Sequence, residues 1–152
     1  DAASARDVRD ILLAYHRDLV ATIGETTLTT ELDTLPAPYL PPDGALLIAR
    51  DEAGRAAGCV GIKGLSDTEC EIKRLYVLHW ARGAGLGRAL VRAAMDQARG
   101  MGYAEMLLIA VAEMTGSAQR IYREFGFEPT PQFREAPLGW DPARFLFMRR
   151  PL

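Results

Sequence analysis

Hydrophobic residues recur at two spacings along the chain, and these divide it into helical and extended segments. Near the N-terminus, a three- and four-residue spacing predicts an amphipathic helix. Ser4, with Asp7 three residues later, resembles a capping box and marks the start of this helix. The hydrophobic positions that define its buried face are Val8, Ile11, Leu12, Tyr15 and Leu19.

A second, shorter helix is predicted by the same spacing at Leu28, Leu32 and Leu35. The proline-rich stretch PAPYLPP, residues 36–42, ends it because proline lacks a backbone N–H and restricts the residue before it. We interpret this stretch as an ordered loop and not as a linker between domains.

Short apolar runs after this loop are typical of β-strands. ALLIAR (45–50) and RAAGCVGIK (55–63) flank the turn sequence DEAG and therefore predict a hairpin. ECEIKRLYVL (69–78) predicts a third strand, and RFLFMRR (144–150) predicts a last one. Between them, MLLIAVA (106–112) is apolar throughout, like a strand that is buried on both faces.

Two further helices are interleaved with these strands. SAQRIYREFGF (117–127) predicts one, which Gly126 ends. The other stops near Gly100 and Gly102, and one of its faces carries Leu86, Leu90, Ala93, Ala94, Gln97 and Ala98. Helices and strands alternate in the middle, and hairpins flank them. This order indicates a single α/β domain over residues 1–152 with a mixed sheet.

Composition and charge narrow the classes of partner. The chain has 152 residues, of which 49% are hydrophobic and 25% charged, as in ordinary globular proteins. Its net charge of −2 comes from 18 basic and 20 acidic residues without a basic block, which argues against a nucleic-acid partner. Apolar runs are shorter than the roughly 20 residues that span a bilayer, and the polar N-terminus lacks a signal peptide's apolar core. We therefore expect a cytoplasmic protein without a membrane partner.

The cysteines and histidines are not placed for metal or redox chemistry. Cys59 and Cys70 form no CxxC motif, and together with His16 and His79 they lack the spacing of zinc ligands. We expect two reduced thiols in the core and no metal. A disulfide between the two cysteines is the alternative, and it depends on their geometry in the fold.

The glycine cluster RGAGLG, residues 82–87, lies between the third strand and a helix. The free N–H groups and positive dipole end of a helix N-terminus suit a phosphate or pyrophosphate, and Arg82 or Arg88 adds charge. A P-loop is excluded because Arg88 and Ala89 stand where Lys-Ser or Lys-Thr is required. A dinucleotide fingerprint is excluded because Arg88 takes the place of its third glycine. A tight turn without a ligand stays the alternative.

The strand before this cluster changes the phase of its alternation. Its apolar side chains fall at Cys70 and Ile72 and then at Leu75 and Val77, so the phase slips by one residue across the sequence Lys-Arg at 73–74. Such a slip predicts a β-bulge, which leaves backbone groups unpaired. A buried run without clean alternation is the other interpretation.

Three motifs in this order resemble the GNAT superfamily of acetyl-coenzyme A dependent N-acetyltransferases. They are EIKRLYV, then R-x-x-G-x-G at Arg82, Gly85 and Gly87, and then A-x-x-I-Y-x-x-x-G-F within SAQRIYREFGF. The resemblance implies a three-layer α/β fold. Its central sheet is mixed, mostly antiparallel and splayed at the cofactor site, with about four flanking helices. Acetyl-coenzyme A is the implied co-substrate, without a metal.

The resemblance also assigns residues to the cofactor. Backbone groups of the bulged strand, at Leu75, Tyr76 and Val77, are expected to pair with the pantetheine arm, and the Leu75 amide faces the thioester oxygen. Thr115 stands where members often carry an asparagine beside the pantetheine. The loop amides expected to hold the pyrophosphate are those of Arg82, Gly83, Ala84, Gly85, Leu86, Gly87 and Arg88.

Two side chains match catalytic positions of the family. Glu71 stands where some members have a general base, and Tyr122 where many have a tyrosine that protonates the departing thiolate. An alkylammonium acceptor has a pKa near 10, so a base must take its proton before its nitrogen attacks the thioester. The alternatives are that Glu71 is an ordinary solvent-facing carboxylate and that Tyr122 only packs against its neighbours.

The implied reaction is acetyl transfer to a primary amine of a small molecule or peptide. A non-catalytic domain that binds acyl-coenzyme A, as a sensor or interaction module, is the competing hypothesis. Members often form homodimers. They also usually begin with a strand before the first helix, and because this sequence begins at the predicted helix cap, we expect that strand to be missing or replaced here. Acidic and aromatic residues that could hold a cationic acceptor are Glu25, Glu31, Tyr39, Phe133 and Trp140.

Overall fold

The computed structural model describes residues 2–24, 28–112 and 117–152. These residues form a mixed six-stranded sheet with helices on both faces. The helices are α1 (Ala2–Ile23), α2 (Leu28–Thr34), α3 (Leu86–Gly100) and α4 (Ser117–Glu124). The strands are β1 (Gly44–Arg50), β2 (Ala56–Gly64), β3 (Glu69–Val77), β4 (Glu105–Val111), β5 (Glu128–Pro129) and β6 (Phe145–Pro151). These bounds match the predicted elements closely, except for β5, which is too short to leave a periodic signal.

The strands follow the order β1-β2-β3-β4-β6-β5 across the sheet. Only the pairing of β3 with β4 is parallel among the described strands, and the other pairs are antiparallel. The predicted hairpin of β1 and β2 is present, with Ala45 opposite Ile62. The sheet and its four helices confirm the α/β fold that the sequence predicts.

Apolar side chains form one cluster on each face of the sheet. The first packs α3 and α4 against the sheet through residues such as Val91 and Ile121, and the second packs α1 and α2 through residues such as Leu12 and Leu32. Cys70 belongs to the first cluster and Cys59 to the second, and both are free. Burial raises the pKa of both thiols to about 12, so they behave as small core side chains.

A β-bulge interrupts β3 where the sequence pattern slips. Cys59 pairs with Tyr76 and Gly61 with Lys73, so two residues of β3, at positions 74 and 75, lie opposite a single residue of β2. Arg74 has a φ of 59°, in the left-handed region. The extra residue keeps all four alternating apolar residues on the face that packs against α3. These four are Cys70, Ile72, Leu75 and Val77, and the predicted phase slip is confirmed.

The parallel strands β3 and β4 separate soon after they begin. Their ladder consists of Glu69↔Glu105, Cys70↔Met106 and Glu71↔Leu107. Beyond it, β4 remains paired with β6 as far as Val111↔Phe145, while β3 continues along β2. A gap therefore opens between the second halves of β3 and β4, which confirms the predicted splay of the sheet.

Two details of the helices differ from the prediction. Helix α1 begins at Ala2, so Ser4 lies inside its first turn and is not the cap; Asp7 bonds Arg50 of β1 at 2.6 Å instead of closing a capping box. In α3, Ala93 and Gln97 are exposed. The buried face of α3 follows the true helical period, at Leu90, Val91, Ala94, Met95 and Ala98.

Candidate active site

The gap between β3 and β4 is one end of a cleft of about 910 Å³. From Glu71 to Val77 the cleft follows β3 for about 20 Å, at roughly 3.3 Å per residue, and it ends at the glycine-rich loop before α3. Helices α1 and α4 and the segment before β6 supply the other walls. The volume is in the range of small-molecule sites, and the walls come from elements far apart in the sequence.

The glycine loop reaches the cleft through its main chain. Gly83 and Gly85 have φ angles of 88° and 79°, and a Cβ added to either would meet nothing within 4 Å. Glycine is therefore required by backbone conformation and not by crowding. Gly85 is the N-cap of α3, and the Ala89 amide makes the first bond back to its carbonyl, at 3.1 Å. The amides of residues 86–88 thus have no acceptor within the helix, as an anion site requires.

The two arginines of this loop are held by acidic side chains. Arg88 forms a bidentate pair with Glu124 of α4, at 2.8 and 2.9 Å. The Arg82 Nε donates to the Val77 carbonyl at 2.9 Å, and its Nη2 lies 3.6 Å from an oxygen of Asp18. Both arginines are exposed, and exposed ion pairs contribute little free energy, so either guanidinium can turn to a bound anion at low cost.

Asp18 of α1 joins several groups at this end of the cleft. Its carboxylate accepts a hydrogen bond from the Tyr76 hydroxyl and lies 2.9 Å from the His79 Nε2. The bond from Tyr76 holds the pKa of Asp18 below its usual range, with further help from His79 and Arg82. Burial and the same bond raise the pKa of Tyr76 to about 12. Tyr15 stacks on the Tyr76 ring at 4.9 Å, so α1 fixes the end of β3.

Glu71 lies at the opposite end of the cleft and is 2% exposed. Arg134, in the segment between β5 and β6, donates to its two carboxylate oxygens at 2.9 and 2.7 Å. Lys73, two residues along β3, also lines the cleft. Burial lowers the pKa of Lys73, and the Glu71 carboxylate opposes that effect. Glu71 is therefore a buried, paired carboxylate and not the solvent-facing one of the alternative interpretation.

Tyr122 of α4 faces the same cleft and is 7% exposed. Its ring packs edge-on against Phe127, with the centroids 5.5 Å apart. Burial raises the pKa of its phenol above the ordinary value of 10 because the charged form loses hydration. The hydroxyl is thus protonated at neutral pH, as a proton donor must be.

The cleft brings together most residues predicted from the sequence. Ala84 belongs to the loop, but it does not line the cleft. Thr115 lies outside the described residues. The predicted residues that line the cleft are Glu71, Leu75, Tyr76, Val77, Arg82, Gly83, Gly85, Leu86, Gly87, Arg88 and Tyr122.

The predicted acceptor residues are more dispersed. Glu31 accepts hydrogen bonds from Tyr39 and Arg74, and neither Glu31 nor Tyr39 lines the cleft. Phe133 packs edge-on against a phenylalanine of β6. Trp140 does line the cleft, and Glu25 lies outside the described residues. The acidic and aromatic set therefore does not form one subsite, because Glu31 is already paired with a cation.

Metal-ligand clusters and membrane-spanning helices are both absent from the described part of the chain. Within residues 2–24, 28–112 and 117–152, no group of three or more His, Cys, Asp or Glu side chains is placed to hold a metal ion. None of the helices there combines the length and apolar character that crossing a bilayer requires.

Relatives that are similar in sequence include three acetyltransferases from a yeast and two bacteria. An uncharacterized N-acetyltransferase of Schizosaccharomyces pombe is 39% identical over 101 residues, which are 66% of this chain and 61% of that protein. An uncharacterized N-acetyltransferase of Escherichia coli is 35% identical over 83% of this chain and 75% of its own. An IAA acetyltransferase of Azospirillum brasilense is 39% identical over 73% of this chain and 70% of its own. This chain thus spans less than two thirds of the fission-yeast protein.

Solved structures show the same fold. An acetyltransferase of the GNAT family from Staphylococcus aureus superposes with a TM-score of 0.79 at 16% identity, over 99% of this chain and 94% of its own. A GNAT family acetyltransferase from Elizabethkingia anophelis, determined with acetyl-CoA bound, gives a TM-score of 0.62 at 17% identity, over 88% of each chain.

The sheet is open and splays beside a glycine-rich helix N-terminus. This architecture is that of an acyltransferase fold. The model of the acetyltransferase (GNAT) family matches residues 6–127. The chain therefore belongs to the GNAT family of acetyltransferases, enzymes that take an acetyl group from acetyl-coenzyme A. This membership confirms the resemblance indicated by the three sequence motifs.

Proposed function

We propose that this protein transfers the acetyl group of acetyl-coenzyme A to a primary amine of a small molecule or peptide. One observation carries the proposal: the gap between β3 and β4 and the amide end of α3 belong to a single cleft of about 910 Å³. A donor with a diphosphate near one end and a thioester at the other requires both features. The family match over residues 6–127 supports the same reaction.

The glycine loop fits a diphosphate. Gly83 and Gly85 line the cleft without side chains, and the first amides of α3 lack helical acceptors, so main-chain donors are available there. Arg82 and Arg88 add positive charge at the same end. We assign residues 82–88 to the diphosphate. Ala84 belongs to this loop, although it does not line the cleft.

The bulged strand fits the amide-containing arm of coenzyme A. Leu75, Tyr76 and Val77 lie on β3 beyond its last pair with β4, so an extended ligand can add to this edge as a strand would. The Leu75 amide follows the bulge at Arg74, and we assign it to the thioester oxygen. A preorganised N–H in that place stabilises the negative charge that develops during attack. The bound donor supplies the activated acetyl group.

Glu71 and Tyr122 supply the proton transfers in this proposal. Each carboxylate oxygen of Glu71 has two lone pairs, so it can still accept a proton, directly or through water, while bonded to Arg134. Removal of that proton turns the acceptor ammonium into a nucleophilic amine. Tyr122, which burial keeps protonated, gives its proton to the departing thiolate.

A panel of primary amines with acetyl-coenzyme A as donor tests the proposal, with release of the free thiol as the readout. We expect thiol release that depends on the amine, together with a mass increase of one acetyl group on that amine. Thermal stabilisation by coenzyme A without thiol release from any amine would instead support the binding-module hypothesis. Absence of binding in calorimetry at millimolar coenzyme A would overturn both hypotheses.

A further inference from the structure

A half-buried cation lies beside the proposed base. Lys73 and Glu71 are separated by one residue on β3, so their side chains leave the same face, with Cα atoms about 6.6 Å apart at roughly 3.3 Å per residue. Glu71 is bonded to Arg134, and Arg74 to Glu31. By contrast, Lys73 forms no ion pair with any carboxylate in the described ranges. The acceptor end of the cleft, defined by Glu71, Lys73 and Arg134, thus has one cation in excess.

The described side chains that line the rest of the cleft also carry more positive than negative charge. Among the residues that the structure describes, the lining contains two carboxylates, Asp18 and Glu71, in a chain whose net charge is −2. The same described lining contains six cationic side chains, those of Lys73, Arg74, Arg82, Arg88, Arg120 and Arg134. The arginines at positions 82, 88 and 120 surround the glycine loop and the start of α4, where a diphosphate accounts for them. A diphosphate at that end leaves the Lys73 charge unmatched.

We propose that the acceptor is a small amine that carries a carboxylate next to its amino group, an α-amino acid, and that Lys73 binds this carboxylate while Glu71 receives the proton of the amine. The proposal rests on the proposed function. It makes Lys73 a specificity-determining residue of the reaction.

The spacing of the two side chains fits this class of molecule. The amino and carboxylate groups of an α-amino acid are attached to one carbon, and charge-assisted hydrogen bonds are about 2.7–2.9 Å long. One such bond at each end lets the amino acid bridge Glu71 and Lys73, whose Cα atoms are about 6.6 Å apart. A bound carboxylate also offsets the burial that lowers the pKa of Lys73.

The wall beside this end indicates which amino acids fit. The segment that follows Arg134 lines the cleft mainly with apolar side chains: Pro137, Leu138, Trp140 and Phe145. Leu138 is 38% exposed, so part of this wall is open to a ligand. An apolar amino-acid side chain buries surface there, which makes phenylalanine, leucine and methionine the first candidates.

The test compares acceptors that differ only at the carboxylate. Thiol release and acetyl transfer are measured with L-phenylalanine, L-phenylalaninamide and 2-phenylethylamine, and with the matching leucine and methionine series. We expect kcat/KM for the acid to exceed that for the other two by about tenfold or more, since an ion-paired hydrogen bond is lost in both. The amide's ammonium loses its proton more readily than the acid's, so a preference for the acid does not come from easier deprotonation of the amine.

Substitutions of the two lysines, Lys73 and Lys63, show whether Lys73 causes the preference for the amino acid. Lys73→Met is expected to raise KM for the amino acid about tenfold or more, and to lower kcat/KM for 2-phenylethylamine, which has no carboxylate, by a clearly smaller factor. Lys73→Arg is expected to restore part of the preference because it keeps the charge. Lys63→Met is the matched control: Lys63 lies opposite Glu71 in the sheet but is exposed and outside the cleft lining. It is expected to behave as the parent protein.

The outcomes separate the two proposals. Equal or better turnover of 2-phenylethylamine, or an equal loss for all acceptors in Lys73→Met, would overturn the amino-acid proposal and leave amine acetylation intact. Thiol release from none of these compounds and from none of the broader panel of primary amines would overturn both. A preference for the acid that survives Lys73→Met unchanged would overturn the role of Lys73.

Discussion

Arg74 on β3 and Glu31 on α2 form a bidentate ion pair at the bulge. The Arg74 Nε lies 3.1 Å from both Glu31 oxygens, and its Nη2 also bonds one of them. The Tyr39 hydroxyl donates to the same carboxylate, and each partner side chain of the ion pair is only 11% exposed. Arg74 is also the residue with the positive φ of 59°. This ion pair therefore holds helix α2 against the bulge, directly before the Leu75 amide.

Arg74→Ala is expected to lower the free energy of unfolding by about 3 kcal/mol, because it leaves the largely buried Glu31 carboxylate without its cation. Urea unfolding followed by circular dichroism measures this change. Arg99→Ala is the control, since the Arg99–Asp96 pair on α3 is exposed and is expected to contribute less than about 1 kcal/mol.

Arg74→Gly separates the ion pair from the backbone conformation. Glycine adopts positive φ without steric cost, so this variant should be more stable than Arg74→Ala by about 1 kcal/mol. Equal losses for Arg74→Ala and Arg99→Ala would show that the ion pair does not hold the bulge.

The Glu31 carboxylate predicts how stability changes with pH. Burial acts to raise its pKa, but the hydrogen bonds and charge of Arg74 outweigh burial, and the pKa lies below the ordinary value of 4.5. The native carboxylate thus binds a proton less readily than the unfolded one. Its contribution is present above pH 4.5 and is lost as the pH falls through the lowered native pKa.

Glu31→Gln is therefore expected to be less stable than the parent at pH 7 and to lose less stability between pH 5 and pH 3. Urea unfolding at several pH values measures both differences. Glu52→Gln, in the exposed turn between β1 and β2, is the control. Parallel stability curves for the parent and Glu31→Gln would contradict the prediction.

The sequence predicts the parts of this site that depend on local rules. A strand alternates with a period of two, so the shift from Ile72 to Leu75 is enough to locate the bulge. Positive φ at Gly83 and Gly85 needs glycine, so the loop is visible as a glycine cluster. The helix that follows is visible from its 3.6-residue period. Each of these signals lies within a window of about ten residues.

Contacts between distant segments were not predictable in this way. Arg134 reaches Glu71 across 63 residues from a segment without a periodic pattern, so no local signal connects them. Asp18 follows Tyr15 at helical spacing, which places both on one face of α1, but its bond to Tyr76 depends on how α1 crosses the sheet. The prediction for Ser4 is wrong because a cap signal four residues long also occurs inside helices.

Tyr122→Phe tests the proposed proton donor. The change keeps the ring that packs against Phe127 but removes the hydroxyl, so kcat is expected to fall about a hundredfold while KM for acetyl-coenzyme A stays within about threefold. Steady-state kinetics with one amine acceptor measures both constants. Tyr103→Phe is the control, because the Tyr103 hydroxyl donates to the Asp43 carbonyl outside the cleft. An unchanged kcat in Tyr122→Phe would leave only the packing role.

Glu71→Gln tests the proposed base through its pH profile. Glutamine can still accept from Arg134, but it cannot take a proton from an ammonium. The fraction of free amine grows with pH, so the loss in rate, about a hundredfold at low pH, should shrink as the pH rises. Glu69→Gln is the control, since Glu69 lies two residues earlier on β3 and is also bonded to an arginine, Arg149. A pH profile parallel to that of the parent would remove Glu71 from this role.

Gly85→Ala tests whether the loop conformation holds the diphosphate. A Cβ at this position meets nothing within 4 Å, so the substitution acts through the φ of 79°, which an L side chain disfavours by about 1–2 kcal/mol. A shift of this residue displaces the first amides of α3, and we expect the Kd for coenzyme A to rise about tenfold in calorimetry. Gly54→Ala is a matched control: Gly54 has a φ of 81°, equally open surroundings and a place in the turn between β1 and β2, outside the cleft lining. It should lose similar stability and bind coenzyme A like the parent, whereas equal affinities in both variants would mean that the amides at the start of α3 do not hold the ligand.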